Sequence, residues 1–288
     1  MSHFYDCDYI ETKEGNFYIV RGSIHPTQKI RAKLIYQLDN NGEKQHSNGK
    51  KYSKIQKDYW EFIDYKKIKN HFNPLTDSKK NNLLGIWFDL YQQLKLFVPE
   101  KYIGIFGSTL IGFPISRDID FIIYGINNCQ IIKNNINSIK KSLGLTDLSE
   151  EHIKYQAEKF SPEHNPNNNS LTKTLKNKWC SMQIAPGIAN TLMFGYKPEE
   201  LNDDLIADDI NGLEISIQGI VIEDIYCNFC PRVFLIKTKE RKIWKIKTYF
   251  WAYHSAVKKG DEVLITGKNI QNNNIILDNY NHGIKIIN

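Results

Sequence analysis

Lys101 to Gly125 reads KYIGIFGSTLIGFPISRDIDFIIYG, and its three parts decide how the chain is organised. The apolar run Tyr102 to Phe106 stops at Gly107-Ser108. A short mixed link follows, and a second apolar run opens with Asp118 and Asp120 and continues as FIIYG. Short runs of β-branched and aromatic residues bounded by glycine predict two buried strands. Gly107 lets the backbone pass close to a ligand, and Ser108 can cap the turn behind it. The N–H groups of such a turn make a seat for phosphate. Alternate residues of a strand share a face, so Asp118 and Asp120 are expected to project together while Ile119 enters the core. Two neighbouring carboxylates repel unless a divalent cation sits between them. Phosphate above a dicarboxylate describes phosphoryl or nucleotidyl transfer assisted by Mg2+ or Mn2+. Arg117, beside the pair, either steadies phosphate or faces solvent.

A GS dipeptide alone carries little information, and a DxD at a strand start is commonly just solvated. Their combination with two strands is far more specific. The order strand–GS–turn–DxD–strand resembles the nucleotidyltransferase fold shared by DNA polymerase beta, CCA-adding enzymes and antibiotic nucleotidyltransferases. A closer likeness covers most of the chain. YDCDYIETKEGNFYIVRGSIHP, IGIFGSTLIGFPISRDIDFIIYGINNC and GIVIEDIYCNFCPRVFLI with GDEVLITGK are similar to a group of predicted archaeal and bacterial nucleotidyltransferases. In outline they also resemble the nucleotidyltransferase subunits of antiphage systems of the Hailong type.

The resemblance implies an NTP or dNTP substrate held at Gly107, Ser108 and Arg117, with Asp118 and Asp120 as catalytic metal ligands. It also implies pyrophosphate release, a short template-independent oligonucleotide product acting in antiviral defence, and an effector protein as partner. Members of the fold carry a third carboxylate on the adjacent strand. The strand expected there, Lys178 to Ala185, offers Lys178, Ser181 and Gln183 but no acid. Three alternatives follow: Asp8, Glu11 or Glu14 from the N-terminal region enters the site, two carboxylates suffice, or the site is impaired. The rival functional classes are an enzyme that nucleotidylates a protein or tRNA, and a nucleic-acid-binding module with a relict nucleotide pocket.

The bulk properties are compatible with this. The 288 residues are 41% hydrophobic and 24% charged, and no apolar run approaches a membrane span. Neither a basic start nor an apolar core marks a secretory signal in MSHFYDCDY, so no membrane insertion and a cytoplasmic location are expected. Five scattered cysteines suit a reducing compartment, and the lone Cys227-x-x-Cys230 is expected to be packing rather than a zinc site. A net charge of +6 accommodates nucleotides or a single strand without requiring either.

The expected fold is α+β: a polymerase-beta-type core with a small N-terminal β-rich region and a C-terminal OB-like β-barrel. Residues 1–75 form the β-rich region, with strands at FYIVRGSI and KIRAKLIYQL, a mobile basic loop from Gly42 to Lys54, and a helix from about Asp58 to His71. Residues 76–195 are the nucleotidyltransferase core. Helices are expected at about Ser78–Phe97, Ile126–Leu143 and Ser149–Phe160, with a loop over Ser161–Ser170. Residues 196–211 read as an acidic linker. In 212–288, short alternating strands predict a barrel. Its Tyr249, Trp251 and Tyr253, with Lys245 and Lys247, either line a single-strand-binding surface or fill the interior.

Overall fold

In the computed structural model, which describes residues 3–39, 44–55, 60–114, 118–160, 168–202, 212–279 and 281–287, the chain opens on an antiparallel ladder. β1 (Tyr9–Thr12), β2 (Phe17–Val20) and β3 (Lys29–Leu38) pair in succession. β4 (Lys44–Gln45) and β5 (Lys51–Lys54) form a hairpin on one half of β3, while β6 (Glu61–Asp64) takes the other half. β7 (Ile68–Phe72) then pairs with β1. β6 and β7 thus occupy opposite edges of the three-strand ladder, about 19 Å apart if the sheet were flat. Four Cα–Cα steps link Asp64 to Ile68, about 15 Å at full stretch and less in the 3-10 turn Tyr65–Lys67. The sheet must therefore curl, and it does so around Ile10, Tyr18, Val20, Ile30, Leu34 and Ile63.

Two expectations fail in this region. Asp58–His71 is not a helix: its described part is β6, the short turn and β7. The Asp64 carboxylate accepts the Lys66 N–H at 2.8 Å, ending the strand with a local turn. Ile63 buries against the sheet while Phe62 stays open, a period of two rather than 3.6. The stretch Gly42–Lys54 is a hairpin in its described residues, closed at Gly49, whose N–H donates to the His46 carbonyl at a φ of 82°.

α1 (Ile86–Lys95) is shorter than Ser78–Phe97 because Gly85, at a φ of 56°, breaks the backbone before it. β8 (Ile103–Phe106), β9 (Asp120–Tyr124) and α2 (Ile126–Ser142) follow as expected. β8 runs antiparallel to β9, with Phe106 opposite Asp120. β10 (Ser181–Ala185) is not the next strand of this sheet. After it come β11 (Ile188–Thr191) and β12 (Met193–Gly195), and β12 lies parallel to β9 with Met193 opposite Ile122. The adjacent strand expected at Lys178–Ala185 is therefore supplied by Met193–Gly195. Met193 and Phe194, with Leu192 just before them, are almost wholly buried, as suits a strand packed on β9 better than the half-open SMQIA.

The chain divides into two compact units, Met1–Leu145 with Ile188–Ala207 and Thr146–Gly187 with Asp208–Asn288. The β-rich region and the strands around Asp120 fall in the first. In the second, α3 (Glu150–Phe160) is capped by Ser149, whose hydroxyl accepts the His152 N–H. α4 (Asn168–Lys176) begins inside the expected loop Ser161–Ser170. Leu171 and Leu175 of α4 pack with Ile153 and Ala157 of α3.

The remainder is a closed five-strand barrel. β13 (Leu213–Glu223), β14 (Arg232–Lys237), β15 (Ile243–Thr248), β16 (Glu262–Gln271) and β17 (Asn274–Leu277) pair in the ring order β13-β14-β15-β17-β16-β13. β15 and β17 are parallel and the other pairs antiparallel, with β18 (Gly283–Ile286) added to β16. Among the described residues, no helix is long and apolar enough to cross a membrane.

Candidate functional site

The antiparallel register of β8 and β9 brings Gly107-Ser108, just past the end of β8, beside the residues that open β9. Burial alternates across the acidic pair: Asp118 is exposed, Ile119 buried and Asp120 partly open. Gly107 holds a φ of 80°, and a Cβ there would collide with Asp120 Oδ2. Glycine is required twice over, for its left-handed backbone and for the carboxylate lying on its Cα. The pair repels itself. Burial, and then the charge of Asp118, push the Asp120 carboxyl up from 3.8 to about 7, while Lys54 and Lys44 pull it back.

Both lysines lie in the stretch expected to be a mobile basic loop. The structure places them at the ends of the β4–β5 hairpin, next to the dicarboxylate. Tyr36 was likewise not singled out. It is buried on β3, its hydroxyl hydrogen-bonds with Ser108, and burial together with Asp120 and Asp118 holds its phenol well above the ordinary value. Tyr9, buried on β1, is raised by burial, Tyr36 and Asp120. Both phenols are therefore neutral at pH 7 and can act as O–H donors.

The link after Ser108 is anchored by aromatic packing. Phe113 meets Tyr36 at 4.9 Å, Tyr52 at 5.2 Å, His46 at 5.6 Å and Phe17 at 5.7 Å between ring centroids. The link after Ser108 is thus held by side chains from β2, β3 and the hairpin. Arg117 lies outside the described residues.

The candidate third carboxylates have other partners. Asp8 is buried and accepts from His71 Nε2 at 2.6 Å, Tyr5 N at 2.9 Å and Asn73 Nδ2 at 3.2 Å. Burial raises it to about 6, against these hydrogen bonds. Glu11 binds Lys69 Nζ at 2.9 Å and Asn70 Nδ2 at 2.6 Å. Glu14 is exposed. On the β12 side the segment carries Asn190, which is buried and donates to the Ile119 carbonyl, between the two aspartates, at 2.5 Å. Among the described residues, its buried Oδ1 has no hydrogen-bond partner.

Among the described residues, no three His, Cys, Asp or Glu side chains gather as a metal cage. The dicarboxylate is a hard-oxygen pair whose mutual repulsion a divalent cation would relieve. Mg2+ held there by Asp118 and Asp120 would complete its shell with phosphate oxygens and water.

In the second unit, most of the expected aromatic platform is interior, with Trp251 and Lys245 half-buried. Tyr249 and Tyr253 are buried, as is Lys247, and the Tyr253 hydroxyl accepts the Ile284 N–H. Cys227 and Cys230 are buried and not joined in a disulfide. A cavity of about 440 Å³ instead brings together Lys173, Lys176, Asn177, Lys258, Asp261 and Ile286. Compared with known proteins, the chain matches no family model and no curated protein, so the chemistry of the dicarboxylate is read from the residues that surround it.

Proposed function

We propose that the first unit is a Mg2+-dependent nucleotidyltransferase. It moves a nucleoside monophosphate from an NTP or dNTP to a hydroxyl and releases pyrophosphate. The observation that carries this reading is the Asp120 carboxylate lying on the Cα of Gly107, with Asp118 beside it and Ser108 next in the turn. That juxtaposition puts a glycine-lined phosphate seat and a cation-seeking pair in one place. An antiparallel β8–β9 pair, a parallel β12 and the helices α1 and α2 support a polymerase-beta-type core.

Asp118 and Asp120 would hold Mg2+, which when bound supplies charge neutralisation for the polyphosphate and for the hydroxyl that attacks. The chain's own groups do the rest. Gly107 leaves room for the tail, and Ser108, oriented by Tyr36, offers a hydroxyl to phosphate oxygen. The neutral phenols of Tyr9 and Tyr36 add no repulsive charge. A bond forms between the acceptor oxygen and the α-phosphorus, the bond to the β-phosphate oxygen breaks, and the acceptor proton leaves to solvent.

For the acceptor we infer a growing single-stranded oligonucleotide. The barrel's ring order and parallel β15–β17 pair support an OB-type reading, and the cavity between α4 and the barrel, lined by Lys173, Lys176 and Lys258, offers a seat for phosphodiester. An antiphage role and an effector partner rest on sequence resemblance alone. Incubation with each ribo- and deoxyribonucleoside triphosphate and Mg2+ or Mn2+, reading pyrophosphate and product mass, tests the function. Asp118→Asn with Asp120→Asn should abolish release while circular dichroism stays unchanged. Turnover that persists in the double variant would overturn the assignment. Label found on a partner protein or tRNA would select modification instead of oligonucleotide synthesis.

A further inference from the structure

We propose that the β4–β5 hairpin is the polyphosphate-holding arm of this site, with Lys44 and Lys54 as its two cationic groups. The inference rests on the nucleotidyltransferase reading and adds residues to it. Lys54 stands opposite Tyr36 in the β3–β5 register, and Lys44 Nζ lies 5.4 Å from the Tyr36 ring centroid. Tyr36 in turn hydrogen-bonds with Ser108. Both ammonium groups are thereby gathered around the hydroxyl and glycine that line the phosphate seat. The hairpin is fastened to that same turn. The His46 ring packs on Phe113, and the open side of Gly112 faces His46 Nε2 and Ser47 Oγ at 3.6 and 3.8 Å from where a Cβ would stand.

Charge decides what this arrangement suits. When both are ionised, Asp118 and Asp120 carry two negative charges against the lysines' two positive ones. A Mg2+-bound triphosphate arrives with a net negative charge, and the carboxylates alone would repel it. With the two ammonium groups present the site is near neutral before loading. Once a divalent ion occupies the carboxylates, the lysines are left facing phosphate oxygens. Lysine suits such an exchange, being a point charge on a flexible stem rather than a rigid fork. Surface lysines in a Lys-rich chain usually just solvate a face, and Lys50, Lys51 and Lys54 are all exposed; the charge partner separates them, since Lys54 and Lys44 act on Asp120 while Lys50 acts on Glu11.

The test uses the full chain with Lys44→Gln plus Lys54→Gln, the rescue pair Lys44→Arg plus Lys54→Arg, and Lys50→Gln plus Lys51→Gln as the control. Steady-state nucleotidyl transfer and its inhibition by inorganic tripolyphosphate are measured for each. Loss of two charge-assisted phosphate contacts should raise KM for the triphosphate and the tripolyphosphate inhibition constant together by ~10–100-fold. The glutamine variant should change kcat less than about 3-fold if the contacts are made equally in ground and transition states. Arginine should restore most of the loss, and the control should match the wild type. Unchanged KM and tripolyphosphate inhibition in the glutamine variant, with the wild type active, would overturn the hairpin's role and leave the nucleotidyltransferase reading intact. A wild type that neither turns over nor binds any Mg2+-triphosphate would overturn both.

Discussion

Asp120→Asn should make the protein more stable at alkaline pH, although it removes a proposed metal ligand. The folded carboxyl sits at about 7 against an ordinary 3.8. Between those values the native state binds more protons than the unfolded chain, so stability is fully present below the lower value and is lost as pH rises towards the upper one. A shift of about three units corresponds to ~4 kcal/mol in full, and solvent reaching the partly open side chain reduces this to about 2–4 kcal/mol. Asparagine keeps the shape and removes the charge. At pH 8 in EDTA, melting of the first unit should rise by about 4–12 °C over wild type, and at pH 4 the two proteins should melt together. Differential scanning calorimetry from pH 4 to 8.5 resolves the trend, with the unit that moves identified by its share of the heat. Saturating Mg2+ should then stabilise the wild type and leave the asparagine variant where it was. A melting difference flat in pH, or an asparagine variant less stable at pH 8, would refute the electrostatic account of the pair.

Gly107→Ala should lose activity more than 10-fold and cost at least about 1–2 kcal/mol in urea titration, since its φ of 80° penalises any Cβ and that Cβ strikes Asp120. Phe113→Ala should cost about 3–5 kcal/mol in the first unit, read by the same titration, because it empties the centre of the Phe17, Tyr36, Tyr52 and His46 cluster. Asn190→Asp should weaken Mg2+ activation at pH 7 rather than strengthen it. A third negative charge against the Ile119 carbonyl pushes Asp120 further towards protonation, and the Mg2+ concentration for half-maximal rate checks this.

The heart of the site was legible because it is local. Strand, glycine, serine and the alternation of Asp118, Ile119 and Asp120 follow from spacing along one segment, and the antiparallel β8–β9 register only had to fold it back on itself. The six strands after Gly212 were legible for the same reason, each marked by its own period of two. What failed depended on partners distant in sequence. DYWEFIDYKKIKNH has apolar residues that satisfy a helical spacing, and only pairing of Glu61–Asp64 with β3 and Ile68–Phe72 with β1 settles it as strand. LMF, the run that reaches β9, is too short to register as a strand beside the longer SMQIA. Lys44, Lys54 and Tyr36 lie in no motif, and nothing in YDCDYIETKEG marks Tyr9 for the site. They enter the site because the N-terminal sheet curls and Phe113 docks on it.

Asn190 gives a physical account of why a third carboxylate is missing from the strand beside the pair. Extended backwards from Met193 opposite Ile122, the parallel register carries the chain past Asp120 and Ile119, and Asn190 meets the Ile119 carbonyl there. A carbonyl oxygen is an acceptor, so an ionised carboxylate at this place would be repelled by it and by both aspartates, in a setting that already holds Asp120 near neutrality. An amide donates to that carbonyl and pins the backbone between the two acids without adding charge. The neutral phenols of Tyr9 and Tyr36 and the ammonium groups of Lys44 and Lys54 act in the same direction, each surrounding the pair without increasing its negative charge. The surroundings thus add no further negative charge to the two carboxylates, an arrangement that suits the proposed cation capture better than a separate base.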